Sequence, residues 1–222
     1  ASARAEPHAR VRCRPDPTRE RAHHSLRAPH GLHTAAMAEI VSVGVRRAAR
    51  DDSCLFSAVR AAVGDDDDEP RRWRCCARAE TPADALRRRC ADYVGARPKR
   101  FDEAALGMPN ATYRRWIARR KNWGGEVELV ALSELLRVDI AVWSPFRSDE
   151  ALVYRSPGAA RGLVHLLYSG THYDALVGRT AGGATVSLFP AGGDAAAEAR
   201  IKAHLAGAIA RAAAGREGAT AR

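Results

Sequence analysis

A cysteine at position 54 stands between acid and hydrophobe, in the stretch RAARDDSCLFSAVRAAV at 47–63. Leu55, Phe56, Val59, Ala62 and Val63 recur at helical spacing, which puts Cys54 in the first turn of an apolar helix that Asp52 or Ser53 can cap. At a helix N-terminus the backbone N–H groups and the dipole favour a thiolate over a thiol. Free amides in the preceding turn can stabilise the oxyanion of a tetrahedral intermediate. One position therefore offers both a nucleophile and a place for the charge its attack creates. The same residue also reads as a small packed side chain, and the stretch alone does not choose between the two.

A thiol nucleophile needs a base and a group that orients the base. Of the eight histidines, His8, His23, His24, His30 and His33 fall in the first 36 residues, His204 lies on an Ala-rich helix, and His165 sits inside an apolar strand. His172 follows a glycine-containing turn and precedes Tyr173 and Asp174. Residues two apart on an extended strand share a face. Asp174 can thus hold one imidazole nitrogen of His172 and leave the other free, which is the base-and-orienter half of a Cys-His-Asp arrangement. A hairpin histidine beside a solvated aspartate is the alternative.

The elements that must position these groups follow from periodicity. IVSVGV (40–45) reads as a short strand ahead of the Cys54 helix, and DDDDEP (65–70) as a solvated acidic loop. ADALRRRCADYVGA (83–96) is a second helix with Leu86, Cys90 and Val94 on one face, and NATYRRWIARR (110–120) a short third one with Asn110 as its cap. In NWGGEVELVALSELLRVDIAVWS (122–144) a turn at Gly124 and Gly125 leads into a helix carrying Val127, Val130, Leu132, Leu135 and Leu136. The period then switches to two at Val138, Ile140 and Val142. ALVY (151–154) and LVHLLY (163–168) are strands, and the SGT turn pairs the latter with HYDALV (172–177) as a hairpin. Residues 194–214 form an Ala-rich helix. Early helices followed by hairpin-linked strands predict an α+β fold with a small, mainly antiparallel sheet packed between helices. The expected organisation is a disordered Arg/Pro-rich extension at 1–38, a catalytic domain at 39–193, a helix at 194–215 packed on that domain and a tail at 216–222, with Met37 a candidate initiator.

Composition removes several function classes. The net charge is +10, but 33 of the 36 basic residues are Arg, and residues 1–36 alone carry seven Arg against three acids. Together with abundant Ala and Gly this reads as coding bias, and a dedicated nucleic-acid binder is not expected. The five cysteines, Cys13, Cys54, Cys75, Cys76 and Cys90, are odd in number and irregularly spaced, with no CxxC or HxxxH pair. Neither a disulfide framework nor a metal site is expected, and a reducing cytoplasm or nucleus fits this usage. No run approaches the roughly 20 apolar residues of a membrane helix, and no secretory signal is recognisable.

Three blocks, DDSCLF, WGGEVELVALSELLRVDIAV and LLYSGTHYDAL, resemble in sequence and in order those of the ovarian-tumour (OTU) family of cysteine deubiquitinases. LRRRCADYVGARPKRFDEAALGMPNATYRRWIARRKNWGGEVEL and TVSLFPAGGDAAAEARIKAHL further resemble the branch that works with the unfoldase valosin-containing protein in endoplasmic-reticulum quality control. The resemblance spans residues 40–212. It implies an OTU-type cysteine protease fold and a thiol isopeptidase acting on ubiquitin chains or conjugates, without metal or organic cofactor. The family's nucleophile falls on Cys54 and its base on His172. Asp174 falls on the orienting acid, and Asp51 on an acid that shapes the oxyanion loop of Asp52 and Ser53, a role compatible with helix capping. Position 52 is Asp where the family usually has Asn or Gly, which tolerate a left-handed backbone better. Trp123, Gly124 and Gly125 suit a narrow channel for ubiquitin's Gly-Gly tail; the plainer reading is a turn with Trp123 in the core. Tyr173 either flanks the cleft or packs. The implied partner is ubiquitin or polyubiquitin. The branch's N-terminal ubiquitin-like region and C-terminal Cys/His zinc finger have no counterpart here, so docking on the unfoldase is not expected. The rival readings are a non-catalytic ubiquitin-binding module of the same fold and an Arg-rich nucleic-acid binder.

Overall fold

The computed structural model describes residues 40–64, 81–145 and 147–220. The expected extension at 1–38 and the acidic loop at 65–70 lie outside these residues, as do Cys13, Cys75 and Cys76. The elements run β1 (Ile40–Arg46), α1 (Cys54–Val63), α2 (Pro82–Gly95), α3 (Glu103–Leu106), α4 (Asn110–Ile117), α5 (Glu126–Leu136), β2 (Asp139–Ser144), β3 (Arg147–Tyr154), β4 (Leu163–Tyr168), β5 (Tyr173–Thr180), β6 (Thr185–Val186) and α6 (Ala195–Thr220). Helix α6 continues past the expected end at 215, and the one-turn α3 has too few residues to give a periodic signal.

The sheet order is β1-β5-β4-β2-β3, with β6 also on β5. All pairings are antiparallel except β2 with β4. Successive strand residues point to opposite faces, and the sequence supplies apolar residues to both. Ile140, Val142, Val164, Leu166 and Ala175 belong to the core shared with α1, α2 and α5. Ala141, Trp143, Leu163 and Leu176 turn the other way, toward Ala197, Ile201 and Leu205 of α6. Strands buried on both faces explain why the middle of the sheet reads as nearly continuous apolar runs.

Helix ends follow local chemistry, with two departures from expectation. Thr81 caps α2 by accepting the Asp84 N–H at 3.2 Å, with Pro82 in the first turn, and Asp102 caps α3 by accepting the Ala105 N–H at 2.9 Å. Asn110 does not cap α4; the cap position is Pro109, and the Asn110 amide instead donates to the carbonyls of Val94 and Phe101, tying the end of α2 to the start of α4. At α1 the cap position is Ser53, yet its side chain makes no capping bond. Both the Ser53 hydroxyl and the Asp52 carboxylate are engaged elsewhere.

Candidate active site

His172 lies just before β5 and Asp174 on it. As the period of two requires, their side chains meet: His172 Nε2 is 3.2 Å from Asp174 Oδ1. Asp174 is buried, and its carboxylate also accepts the Ala48 N–H at 2.8 Å and Arg47 Nη1 at 2.9 Å. Three donors fix the carboxylate, and the carboxylate fixes the ring. His172 Nδ1 is left as the ring nitrogen without a bond among the described residues. The other strand histidine, His165, is wholly buried and accepts the Trp143 indole N–H on Nδ1 at 2.9 Å, which confirms it as a packed residue.

Cys54 opens α1 and is half-buried against the main core, of which Tyr173 is a member. Helix α1 packs against β5, the strand that His172 precedes. No hydrogen bond joins Cys54 to His172 among the described residues.

The loop before Cys54 is tightly held. Asp51 Oδ1 accepts the Ser53 N–H at 2.9 Å, and the Asp51 carbonyl accepts the Cys54 N–H at 3.2 Å. Arg120 reaches the other Asp51 oxygen at 3.5 Å. Asp51 therefore shapes this loop, and among the described residues it makes no hydrogen bond or ion pair with His172 or Asp174. The Asp52 N–H has no acceptor among the described residues. The Asp52 carboxylate accepts the Trp123 indole N–H at 2.7 Å. Asp52 is not left-handed, since Arg137 (φ 54°) is the one non-glycine residue with positive φ among the described residues. The backbone reason for preferring Asn or Gly at position 52 does not apply to this loop.

The other expected binding residues separate. Trp123 is 59% exposed, so the core reading of this residue is corrected. A Cβ on Gly124 would sit 2.8 Å from Leu55 Cδ2 and 3.2 Å from Phe56 Cε2, which makes Gly124 the point where this loop presses on the first turn of α1. Gly125 is the N-cap of α5 and donates its N–H to Glu128 Oε2 at 2.8 Å. Tyr173 is buried, its ring stacked on Tyr168 with centroids 4.5 Å apart.

Two buried charged residues escaped sequence reasoning. Glu128 accepts from both Gly125 and the Tyr113 hydroxyl, and burial raises its pKa above the usual carboxylate range. Arg87 is 1% exposed, spans the catalytic loop and the α4–α5 loop, and lies 4.3 Å over the Phe56 ring. Burial lowers its pKa from the usual guanidinium value, opposed by the carboxylates of Asp84, Glu128 and Asp51. A signal for it existed. Ala83, Leu86, Cys90, Ala91 and Val94 form the buried stripe of α2, and Arg87 occupies a place in that 3-4 pattern while Arg88 and Arg89 do not.

A thiol at a helix start, an imidazole held by a buried carboxylate and a clamped loop are the parts a cysteine protease uses. The model of the family described as OTU-like cysteine protease matches residues 50–173, more than half of the chain, and the chain belongs to that family. It is 37% identical over 126 residues to ubiquitin thioesterase OTU1 of Dictyostelium discoideum, covering 57% of this chain and 35% of that protein. It is 33% identical over 146 residues to ubiquitin thioesterase OTU1 of Gallus gallus, covering 64% of this chain and 44% of that protein. The chain therefore spans less than half the length of these curated relatives. An ovarian-tumour domain solved in complex with ubiquitin shares the fold, with a TM-score of 0.56 at 22% identity over 74% of this chain and 84% of that one.

Proposed function

We propose that this chain is a deubiquitinase that hydrolyses isopeptide bonds at the C-terminus of ubiquitin, with Cys54 as nucleophile, His172 as general base and Asp174 as its orienter. The observation that carries the reading is the His172–Asp174 pair, 3.2 Å apart at the start of the strand to which α1 brings Cys54. Family membership and relatives named ubiquitin thioesterases support ubiquitin as the substrate.

The reaction runs in two halves. His172 Nδ1 takes the Cys54 proton, and the thiolate attacks the carbonyl carbon of ubiquitin's terminal glycine. That Sγ–Nδ1 hydrogen bond forms in the substrate complex, since catalytic hydrogen bonds commonly tighten only there. The oxyanion is met by the Asp52 N–H; the Ser53 and Cys54 N–H groups are already committed to Asp51, to its carboxylate and its carbonyl. The tetrahedral species collapses to a thioester as imidazolium protonates the departing lysine amine. Water, deprotonated by His172, then cleaves the thioester and releases ubiquitin's carboxylate and the free thiol. A reduced nucleophile suits the cytoplasm or nucleus, where thiols are kept reduced. Trp123, exposed beside the loop, is positioned to meet the ubiquitin tail.

A ubiquitin probe ending in an electrophile tests this directly. The wild-type protein is expected to be labelled and Cys54→Ala not, and a diubiquitin panel should be cleaved by wild type and spared by His172→Ala. Ubiquitin binding without labelling of either protein would make this a non-catalytic module.

A further inference from the structure

We propose that Arg87 is the positioning residue of the oxyanion loop: from α2 it fixes the peptide between Asp52 and Ser53, and so aims the adjoining Asp52 N–H at the reacting carbonyl. The inference rests on the function proposed above and adds to it a residue outside the Cys-His-Asp set.

Arg87 Nη2 donates to the Asp52 carbonyl at 2.6 Å and to the Ser53 hydroxyl at 3.1 Å. The same peptide is held from its other side, where the Ser53 N–H donates to Asp51 Oδ1 at 2.9 Å. A peptide unit is planar. Pinning its oxygen and its N–H at once fixes its orientation and limits rotation about the bonds on either side. The bonds on its N-terminal side orient the peptide that carries the Asp52 N–H, while beyond its other side the Cys54 N–H is held by the Asp51 carbonyl at 3.2 Å. The guanidinium and the Asp51 carboxylate therefore form a clamp on one peptide whose consequence falls on the Asp52 N–H before it.

The other end of the fork anchors the clamp. Arg87 Nη1 donates to the carbonyls of Asn122 at 2.6 Å, Ile117 at 3.1 Å and Arg119 at 3.4 Å. The planar head thus binds the α4–α5 loop to the catalytic loop, on the side where Trp123 meets Asp52. A guanidinium can span both loops because its donors diverge in a fixed plane; an ammonium offers one point. The arrangement also explains why Ser53 leaves α1 uncapped, since its hydroxyl is used by Arg87. A salt-bridge role does not account for the geometry, because every hydrogen-bond acceptor of Arg87 among the described residues is a carbonyl or a hydroxyl.

The test compares wild type, Arg87→Met, Arg87→Lys and a core control from the same helix, Leu86→Ala. Three readouts are taken below each protein's unfolding midpoint: kcat and KM on a ubiquitin C-terminal aminocoumarin amide, and the rate at which iodoacetamide alkylates Cys54. Iodoacetamide reacts at a saturated carbon and forms no oxyanion. Both Arg87 variants are expected to lose at least about 30-fold in kcat with KM within about three-fold, approaching the loss from deleting one oxyanion donor. Their alkylation rates should stay within about three-fold of wild type, and Leu86→Ala should keep its kcat within the same margin. If Arg87→Met does not fold, Arg87→Lys, which retains the stem and the charge, carries the comparison. The inference is overturned if the Arg87 variants lose no more kcat than Leu86→Ala, or if alkylation falls in parallel with kcat, which would assign the loss to a displaced thiol. A wild-type protein that alkylates but hydrolyses no ubiquitin substrate would sink the functional reading and this inference with it; normal wild-type turnover with unimpaired Arg87 variants would sink this inference alone.

Discussion

Acid should destabilise this protein through a histidine that takes no part in the chemistry. His165 is wholly buried on β4, between the Trp143 indole, which donates to its Nδ1 at 2.9 Å, and the Phe189 ring, 4.6 Å away edge-on. Protonation would break the bond from Trp143, which needs an unprotonated Nδ1, and would place a cation in an apolar layer. Burial accordingly lowers its pKa from 6.5 to about 4, with Asp194 opposing. Between those values the unfolded chain binds the proton and the folded one does not, so stability rises with pH across the window. The contribution is complete above 6.5 and lost as pH falls toward 4. A gap of that size corresponds to about 3 kcal/mol. His165→Gln keeps an acceptor for Trp143 and cannot titrate. Urea unfolding of both proteins from pH 7 to 4 should show the wild-type stability falling by about 3 kcal/mol more than that of the variant. Parallel curves would refute the assignment of a buried neutral imidazole.

Two further outcomes follow from the packing around the loop. Glu128→Ala removes the acceptor of the Tyr113 hydroxyl and the Gly125 N–H, and should cost about 2 kcal/mol or more in urea unfolding. Because burial raises the Glu128 pKa, its contribution is complete below the ordinary carboxylate range and declines as pH rises through the folded value, a decline that Glu128→Gln should abolish. Gly124→Ala drives a methyl against Leu55 and Phe56, 1% and 0% exposed, and should lower stability by about 1–3 kcal/mol in thermal unfolding while slowing labelling by the ubiquitin probe.

How much of this was legible depended on whether the deciding contact was local. The period of two put His172 and Asp174 on one side of a strand, and helical spacing put Cys54 in a first turn; both follow from a few neighbouring residues. The hairpin of β4 and β5 was likewise written in a tight turn between two apolar runs. Asn110 was misread because its amide is used by the Val94 and Phe101 carbonyls, partners no local rule supplies. Trp123 was assigned between core and cleft by residue type, and the deciding partner, Asp52, lies 71 residues away. Arg87 hid in a run of three arginines that reads as a solvated face, although its place on the stripe through Leu86 and Cys90 marked it as inward. The sequence pattern reports which face a residue occupies, whereas the identity of what it meets there comes from the tertiary fold.

The base and its orienter sit two residues apart at the entry of one strand, and the carboxylate is further tied to the backbone of Ala48. This half of the machinery comes preassembled: no shift of a whole element can pull it apart short of melting the hairpin. The sulfur arrives on α1. A change in how α1 is seated against the sheet would therefore part the proposed nucleophile from its base while leaving the base and its orienter joined.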